Sequence, residues 1–385
     1  MSHCLERIDL LTDDCPLCRA VEPGFALLPW LCPTCLDRCR RIVHEHRRQA
    51  CIDTLAALPR PAQLSAAMGT TVAGLEQARR ALSVAAYNHA KRLLLRDAGE
   101  GEGLRGSNAV LLSGPPGSGK THLVGALARA INAPLVTVDA ACLTGAGQAG
   151  NLATLLGSRL IGALGGEGGR DPRAVVFIDG LESLATGAES TEDRISAQYA
   201  LSGLLDGQPL RVAGPQGVSR ELQTRDLFIV AAGVSTPLHM RSKAVGFMSD
   251  CVGDGADQEP LGLAREVVAR FSIQTELAAP DAGQLAVILM HPQAGLLRSY
   301  RRQFQMDGVE LRVTDAAIGA LVRQSLDEGA GARGLQRALE RALQPAIYTV
   351  PALPNVSRLW LDAAGDELFI SLSRPLSATG AAAAA

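Results

Sequence analysis

At 385 residues the chain is too long for one hydrophobic core, and two or three domains are expected. A formal net charge of −2 supplies no global field for nucleic acid or anionic lipid, and no apolar run reaches the ~18 residues of a membrane span. The N-terminus has no apolar signal core, so a cytoplasmic location without membrane partners is the expectation.

Nine cysteines, seven of them before residue 52, argue for a metal site at one end rather than a disulfide framework. Cys15-Pro-Leu-Cys18 and Cys32-Pro-Thr-Cys35 are two C-x-x-C knuckles with thirteen residues between them. Four thiolates so spaced suit a tetrahedral Zn²⁺ site, and a head of roughly 50 residues would draw most of its folding energy from the metal. Redox-active or simply buried thiols are the competing reading. Cys39, His44 and His46 follow closely; they offer alternative ligands, but a solvated helix face suits them better. Phe25 and Trp30 are the head's aromatics, and no basic–aromatic interleaving favours nucleic acid, so a protein-docking or dimerising module is expected.

Residues 53–70 contain Pro59, Pro61 and Gly69 without a sustained period and read as a linker. From Val72, a helix is expected because Leu75, Ala78, Leu82, Ala85 and Ala86 recur at helical spacing. A flexible, charged stretch (97–106) then leads to the apolar run 109–112. After Ser113, the eight residues Gly114, Pro115, Pro116, Gly117, Ser118, Gly119, Lys120 and Thr121 form a complete G-x-x-x-x-G-K-[ST] phosphate loop, with a helix-like run behind them. Strand, loop and helix are the context that motif needs. Glycines let backbone N–H groups approach an anion, and the helix N-terminus adds a favourable dipole. Lys120 is placed to meet the β- and γ-phosphates and Thr121 to ligate Mg²⁺. Lysine is otherwise found only at Lys91 and Lys243, which makes Lys120 more telling.

Residues 133–139, 174–179 and 227–233 are further apolar strands alternating with helical segments, the pattern of an α/β fold with a parallel sheet covered on both faces. The run Ala174-Val-Val-Phe-Ile-Asp179 ends in an aspartate downstream of a phosphate loop, the Walker B arrangement. Asp179 would hold Mg²⁺ through water at the carboxyl end of its strand; a plain strand cap is the alternative. In the C-terminal third, 280–300, 314–325 and 334–348 have helical periodicity and 309–313 alternates as a strand. Residues 359–361 and 368–372 pair as a terminal hairpin, and 375–385, ending in alanines, read as a tail.

These residues resemble the ClpX family of zinc-headed AAA+ unfoldases. Val72-Ala73-Gly-Leu-Glu-Gln-Ala-Arg79 and 85–93 resemble its first nucleotide-contacting segment, and Asp139-Ala-Ala-Cys-Leu-Thr144 the stretch before its pore loop. Gly331-Ala-Arg-Gly-Leu335 resembles its sensor-2 motif and Cys35-Leu-Asp-Arg-Cys39 the tail of its zinc head. The resemblance implies a zinc head (1–52), a linker (53–70), a large AAA+ domain (71–277) and a helical lid domain (278–374), assembled as a homo-hexamer or as a ring mixed with a ClpX-type subunit. ATP would lie between large and small domains. Arg333 would touch its phosphates, and Arg270 would reach a neighbour's γ-phosphate as an arginine finger. Protein substrates or adaptors would be its partners.

Three departures stand against that pattern. Where the family continues Asp-Glu, this chain has Asp179-Gly180; a positioned general base is worth about 10²–10⁴ in rate. Glu182 lies two positions on and is the alternative candidate to meet the attacking water. Where the family's pore loop has Gly-Tyr-Val-Gly, this chain has Gly147-Gln148-Ala149-Gly150, with little apolar area to grip a polypeptide. The basic pore-entrance loop (206–226) is shortened and lacks an Arg-Lys-His equivalent. Val245-Gly246-Phe247 resembles the tip that docks on the ClpP protease, or else folds back on its own domain. The expectation is therefore an ATP-binding subunit weakened in hydrolysis and gripping. An active unfoldase delivering proteins to ClpP is the first alternative; a zinc-headed, helicase-loader-like nucleic-acid binder is the second.

Overall fold

A computed structural model describes residues 17–18, 33–99, 109–143, 156–157, 159–160, 174–186, 191–213, 219–234, 263–292, 294–353 and 356–373. Its central element is a five-stranded parallel sheet built from β1 (Ala109–Ser113), β2 (Leu135–Asp139), β3 (Val175–Asp179), β6 (Phe228–Gly233) and β7 (Ile273–Glu276). They run in the order β2-β3-β6-β1-β7. The sequences Ala-Val-Leu-Leu, Val-Val-Phe-Ile and Phe-Ile-Val-Ala-Ala have no polar alternation because β1, β3 and β6 are buried on both faces. Met68, Leu82, Leu123, Leu127 and Phe177 fill one side of the sheet. Leu156, Leu160, Leu201, Leu204 and Phe271 fill the other.

Three of the helices cover the first side: α2 (Pro61–Gly69), α3 (Glu76–Asp97) and α4 (Lys120–Ala130). Helix α2 forms within 53–70, the stretch read as a linker for want of a sustained period. Pro61 sits at the first turn, where its missing N–H costs nothing, and Leu64 and Met68, four apart, are both buried. The strand β7 is also beyond the sequence reading. Its four residues, Ile-Gln-Thr-Glu, pair with β1 at the sheet edge and alternate in burial.

Beyond β3 come the short α5 (Ser183–Thr186), α6 (Thr191–Leu205) and the antiparallel pair β4 (Leu210–Ala213) and β5 (Ser219–Leu222), which falls in the region matched to the pore-entrance loop. After β6, α7 (Arg265–Val268) leads into β7. The C-terminal part has α8 (Ala282–Met290), α9 (Leu296–Met306), β8 (Glu310–Val313), α10 (Asp315–Asp327) and α11 (Gly331–Thr349). It ends in the hairpin β9 (Arg358–Ala364) and β10 (Glu367–Ser373), with β8 added parallel to β9. A second core of Leu285, Leu289, Phe304, Leu321, Leu335, Leu339, Leu343 and Leu359 holds these together. The single helical run expected over 280–300 is two helices, because the chain turns tightly at Gly295, whose N–H donates to His291 O at 2.8 Å. A Cβ at 295 would lie 2.5 Å from that same oxygen.

Helix α1 (Pro33–Ala57) runs past the expected end of the head at residue 52. With the second half of α3 it makes one compact unit, and the remaining described elements make another. Within the first unit Cys51 Sγ donates to Leu94 O at 3.0 Å. His44 and His46 are exposed on α1, as expected of a solvated face. No described helix is long and apolar enough to cross a membrane.

Candidate nucleotide site

The phosphate loop leaves the buried β1 at Ser113 and closes into α4 at Lys120. Gly117 makes this path available. Its φ is +74°, and a Cβ there would stand 2.1 Å from Ala330 O. That close approach is used: Ala332 N, at the start of α11, donates to Gly117 O at 3.2 Å. The same helix start carries Arg333 into a cleft of about 610 Å³ shared with Gly117, Ser118, Gly119, Lys120 and Thr121. Lys120 is 8% exposed, and its ammonium donates to Gly114 O at 2.8 Å and Pro115 O at 2.9 Å. Burial pulls its pKa below the usual lysine range; Asp179 and Glu182 oppose that shift, and Arg333 adds to it. Two cations and two carboxylates therefore share one field around the loop.

Register pairing aligns the ends of β2 and β3, so Asp139 and Asp179 are neighbours. Thr121 Oγ1 donates to Asp179 Oδ2 at 3.2 Å, bringing the two expected Mg²⁺ ligands together. A hydroxyl and a carboxylate at this separation are the oxygen donors a hard divalent cation takes, so the residues fit the ion. Residue 180 departs from a strand path altogether. Gly180 has φ +74°, a left-handed conformation that costs a residue with a side chain about 1–2 kcal/mol. The chain then crosses toward β6: Leu181 N donates to Ala232 O at 3.0 Å, and Val234 N donates to Glu182 Oε2 at 2.9 Å. Glu182 thus faces the same cleft as Lys120 and Asp179. Asp139 also lines it, its Oδ1 accepting from Ala141 N at 2.9 Å and lying 3.6 Å from where a Cβ on Gly180 would stand.

Val72 and Ala73 line the cleft, together with Leu75, Ile288, His291 and Leu296. The last three were not singled out from sequence; they fall within the run 280–300 read there only for its helical periodicity. His122 Nε2 lies 3.0 Å from Thr71 O and ties this segment to α4. Arg270 is not brought to the group. Its Nε donates to Asp206 Oδ1 at 2.8 Å and its Nη1 to Glu266 O at 2.7 Å, outside the cleft of its own chain.

Of the expected zinc ligands, Cys18 is exposed, Cys35 is buried in α1, and Cys15 and Cys32 lie outside the described residues. Among the described residues no group of three or more His, Cys, Asp or Glu is gathered as a metal cluster. Gly147 to Gly150 and Val245, Gly246 and Phe247 also lie outside them.

Residues 110–241 match the AAA family, the ATPase family associated with various cellular activities. Residues 288–357 match the C-terminal, D2-small domain of ClpB protein. The ATP-dependent Clp protease ATP-binding subunit ClpX of Azotobacter vinelandii is 32% identical over 371 residues, covering 86% of this chain and 84% of that one. ClpX 2 of Wolinella succinogenes is 30% identical over 373 residues, covering 90% and 93%. ClpX of Treponema denticola is 28% identical over 372 residues, covering 89% of each. A likeness that takes in both the phosphate-loop sheet and the C-terminal helices makes this chain a member of the ClpX family of AAA+ ATPases.

Proposed function

We propose that the chain is an ATP–Mg²⁺-binding ring subunit of the ClpX type that retains nucleotide seating and is weakened in hydrolysis and in gripping polypeptide. The observation that carries this reading is the pairing of an assembled Thr121–Asp179 donor set with a left-handed glycine at 180. Lys120, the loop N–H groups and Arg333 would hold the phosphates, with the base against Val72 and Ala73. Magnesium held by Thr121 and Asp179 would neutralise charge on the phosphate oxygens. Nothing at residue 180 can accept a proton from water. Gln148 and Ala149 offer a translocating chain little contact area.

On the same reading, residues 1–52 hold Zn²⁺ through Cys15, Cys18, Cys32 and Cys35, and 71–277 and 278–374 are the large and lid domains. Arg270 serves a neighbouring subunit from outside its own cleft. The relatives' names point to a Clp protease partner, reached through Val245 to Phe247. The ring is regulatory or adaptor-like, either of identical chains or shared with a ClpX-type subunit.

The test is ATP binding measured calorimetrically with and without Mg²⁺, for wild type and Asp179→Asn, beside phosphate release on the same preparations. Tight binding that needs Mg²⁺ and Asp179, together with slow release, supports the proposal. Failure of wild type to bind ATP refutes it. The active-unfoldase alternative draws its support from Glu182, whose carboxylate faces the cleft.

A further inference from the structure

We infer that Glu182, held by the Val234 amide, is the carboxylate that orients the attacking water in the turnover this chain retains. The inference rests on the reading of the cleft as an ATP site and deepens it. The argument is one of position. In the sheet, β6 lies between β3 and β1, so the carboxyl end of β6 lies between the strand ends that carry Asp179 and the phosphate loop. Two hydrogen bonds draw the chain after Gly180 onto that end: Leu181 N to Ala232 O at 3.0 Å and Val234 N to Glu182 Oε2 at 2.9 Å. The carboxylate is therefore fixed at the carboxyl end of β6, in the cleft it shares with Lys120, Thr121 and Asp179, where the γ-phosphate of a seated nucleotide would be met. Its influence on Lys120 agrees with that placement. Asp139 ends β2, on the far side of β3 from the loop.

The glycine and the glutamate are then parts of one arrangement. Glycine at 180 lacks the family's carboxylate, and the left-handed turn it makes is followed two residues later by another carboxylate that Val234 anchors. In the step itself, the water oxygen bonds to the γ-phosphorus as Glu182 accepts a proton from that water. The bond from γ-phosphorus to the bridging oxygen breaks, and ADP leaves with its electron pair. The proton passes from Glu182 to the released phosphate or to solvent.

The experiment uses the full chain in excess over γ-labelled ATP with Mg²⁺, so that a single turnover is followed, and measures equilibrium ATP binding in parallel. Glu182→Gln keeps an amide oxygen for the Val234 N–H, so the turn stays anchored. The expected result is ATP affinity within about threefold of wild type and a hydrolysis rate about a hundredfold lower. Asp139→Asn should lose less. Wild-type turnover by Glu182→Gln overturns the inference, as does a larger loss in Asp139→Asn or the absence of hydrolysis in wild type that binds ATP. Absence of ATP binding in wild type instead overturns the reading of the site on which the inference rests.

Discussion

The ends of β1 and β3 lie on either side of β6, and the chain leaves them differently. From β1 it makes a complete phosphate loop that caps a helix and meets the start of α11 backbone to backbone. From β3 it passes through a left-handed glycine and is tied to the end of β6. On the proposed reading, the first exit assembles groups that would hold a triphosphate. The second leaves the usual position of the water-orienting carboxylate without a side chain. If the proposal holds, the binding half of an ATPase stands in this sheet while the hydrolytic half is rebuilt, because the two would be supplied by separate strand ends.

The largest effect is expected at the first exit. Lys120→Ala removes charge-assisted hydrogen bonds worth about 3 kcal/mol, so ATP affinity should fall about a hundredfold by calorimetry. An unchanged affinity would break the comparison, since the loop would then not be the seat of the phosphates. Gly117→Val should come next. Left-handed strain costs about 1–3 kcal/mol, and the added carbon collides with Ala330 O. Thermal unfolding should shift down and ATP binding weaken together. A third variant, Gly180→Glu, restores the family's side chain on a backbone that resists it by about 1–2 kcal/mol. It should lower the unfolding temperature without restoring fast phosphate release; a stable, fast variant would mean that the turn relaxes easily.

The smallest effect serves as a control far from both strand ends. The Thr314 hydroxyl, 2.6 Å away, and the Ala363 amide hold the Asp362 carboxyl below its usual pKa. Its folded-state value is thus lower than its unfolded one. The stabilisation it gives is present above the unfolded value and is lost as pH falls through the folded value. Asp362→Asn should flatten the acid side of an unfolding-temperature profile below about pH 4 and leave ATP affinity unchanged.

The phosphate loop was legible because its signal is local: eight consecutive residues, an apolar strand before them and a helix after. Asp179 was legible for the same reason, as the end of an apolar run. The role of the 180 turn was not, because Glu182 takes its position from Val234, 52 residues later. Residues Ile288, His291 and Leu296 reach the cleft only once α8 and α9 are folded against the sheet domain. Helix α2 was hidden by prolines that read as breakers, although a proline at a first turn is no breaker. The edge strand β7 was hidden by its brevity and polar alternation. Arg333 and Arg270 were picked out by resemblance alone. The fold brings the first into the cleft and leaves the second paired with Asp206. The zinc knuckles are the strongest sequence signal whose geometry falls largely outside the described residues.

The central claim is that seating and turnover are uncoupled in this chain. It is tested most directly by measuring ATP occupancy and steady-state phosphate release on one preparation, with Lys120→Ala as the blank for contaminating ATPase. Saturable, Mg²⁺-dependent binding with turnover below about 0.1 per second is the expected result. Release of several phosphates per second at saturation, abolished in Lys120→Ala, would contradict it.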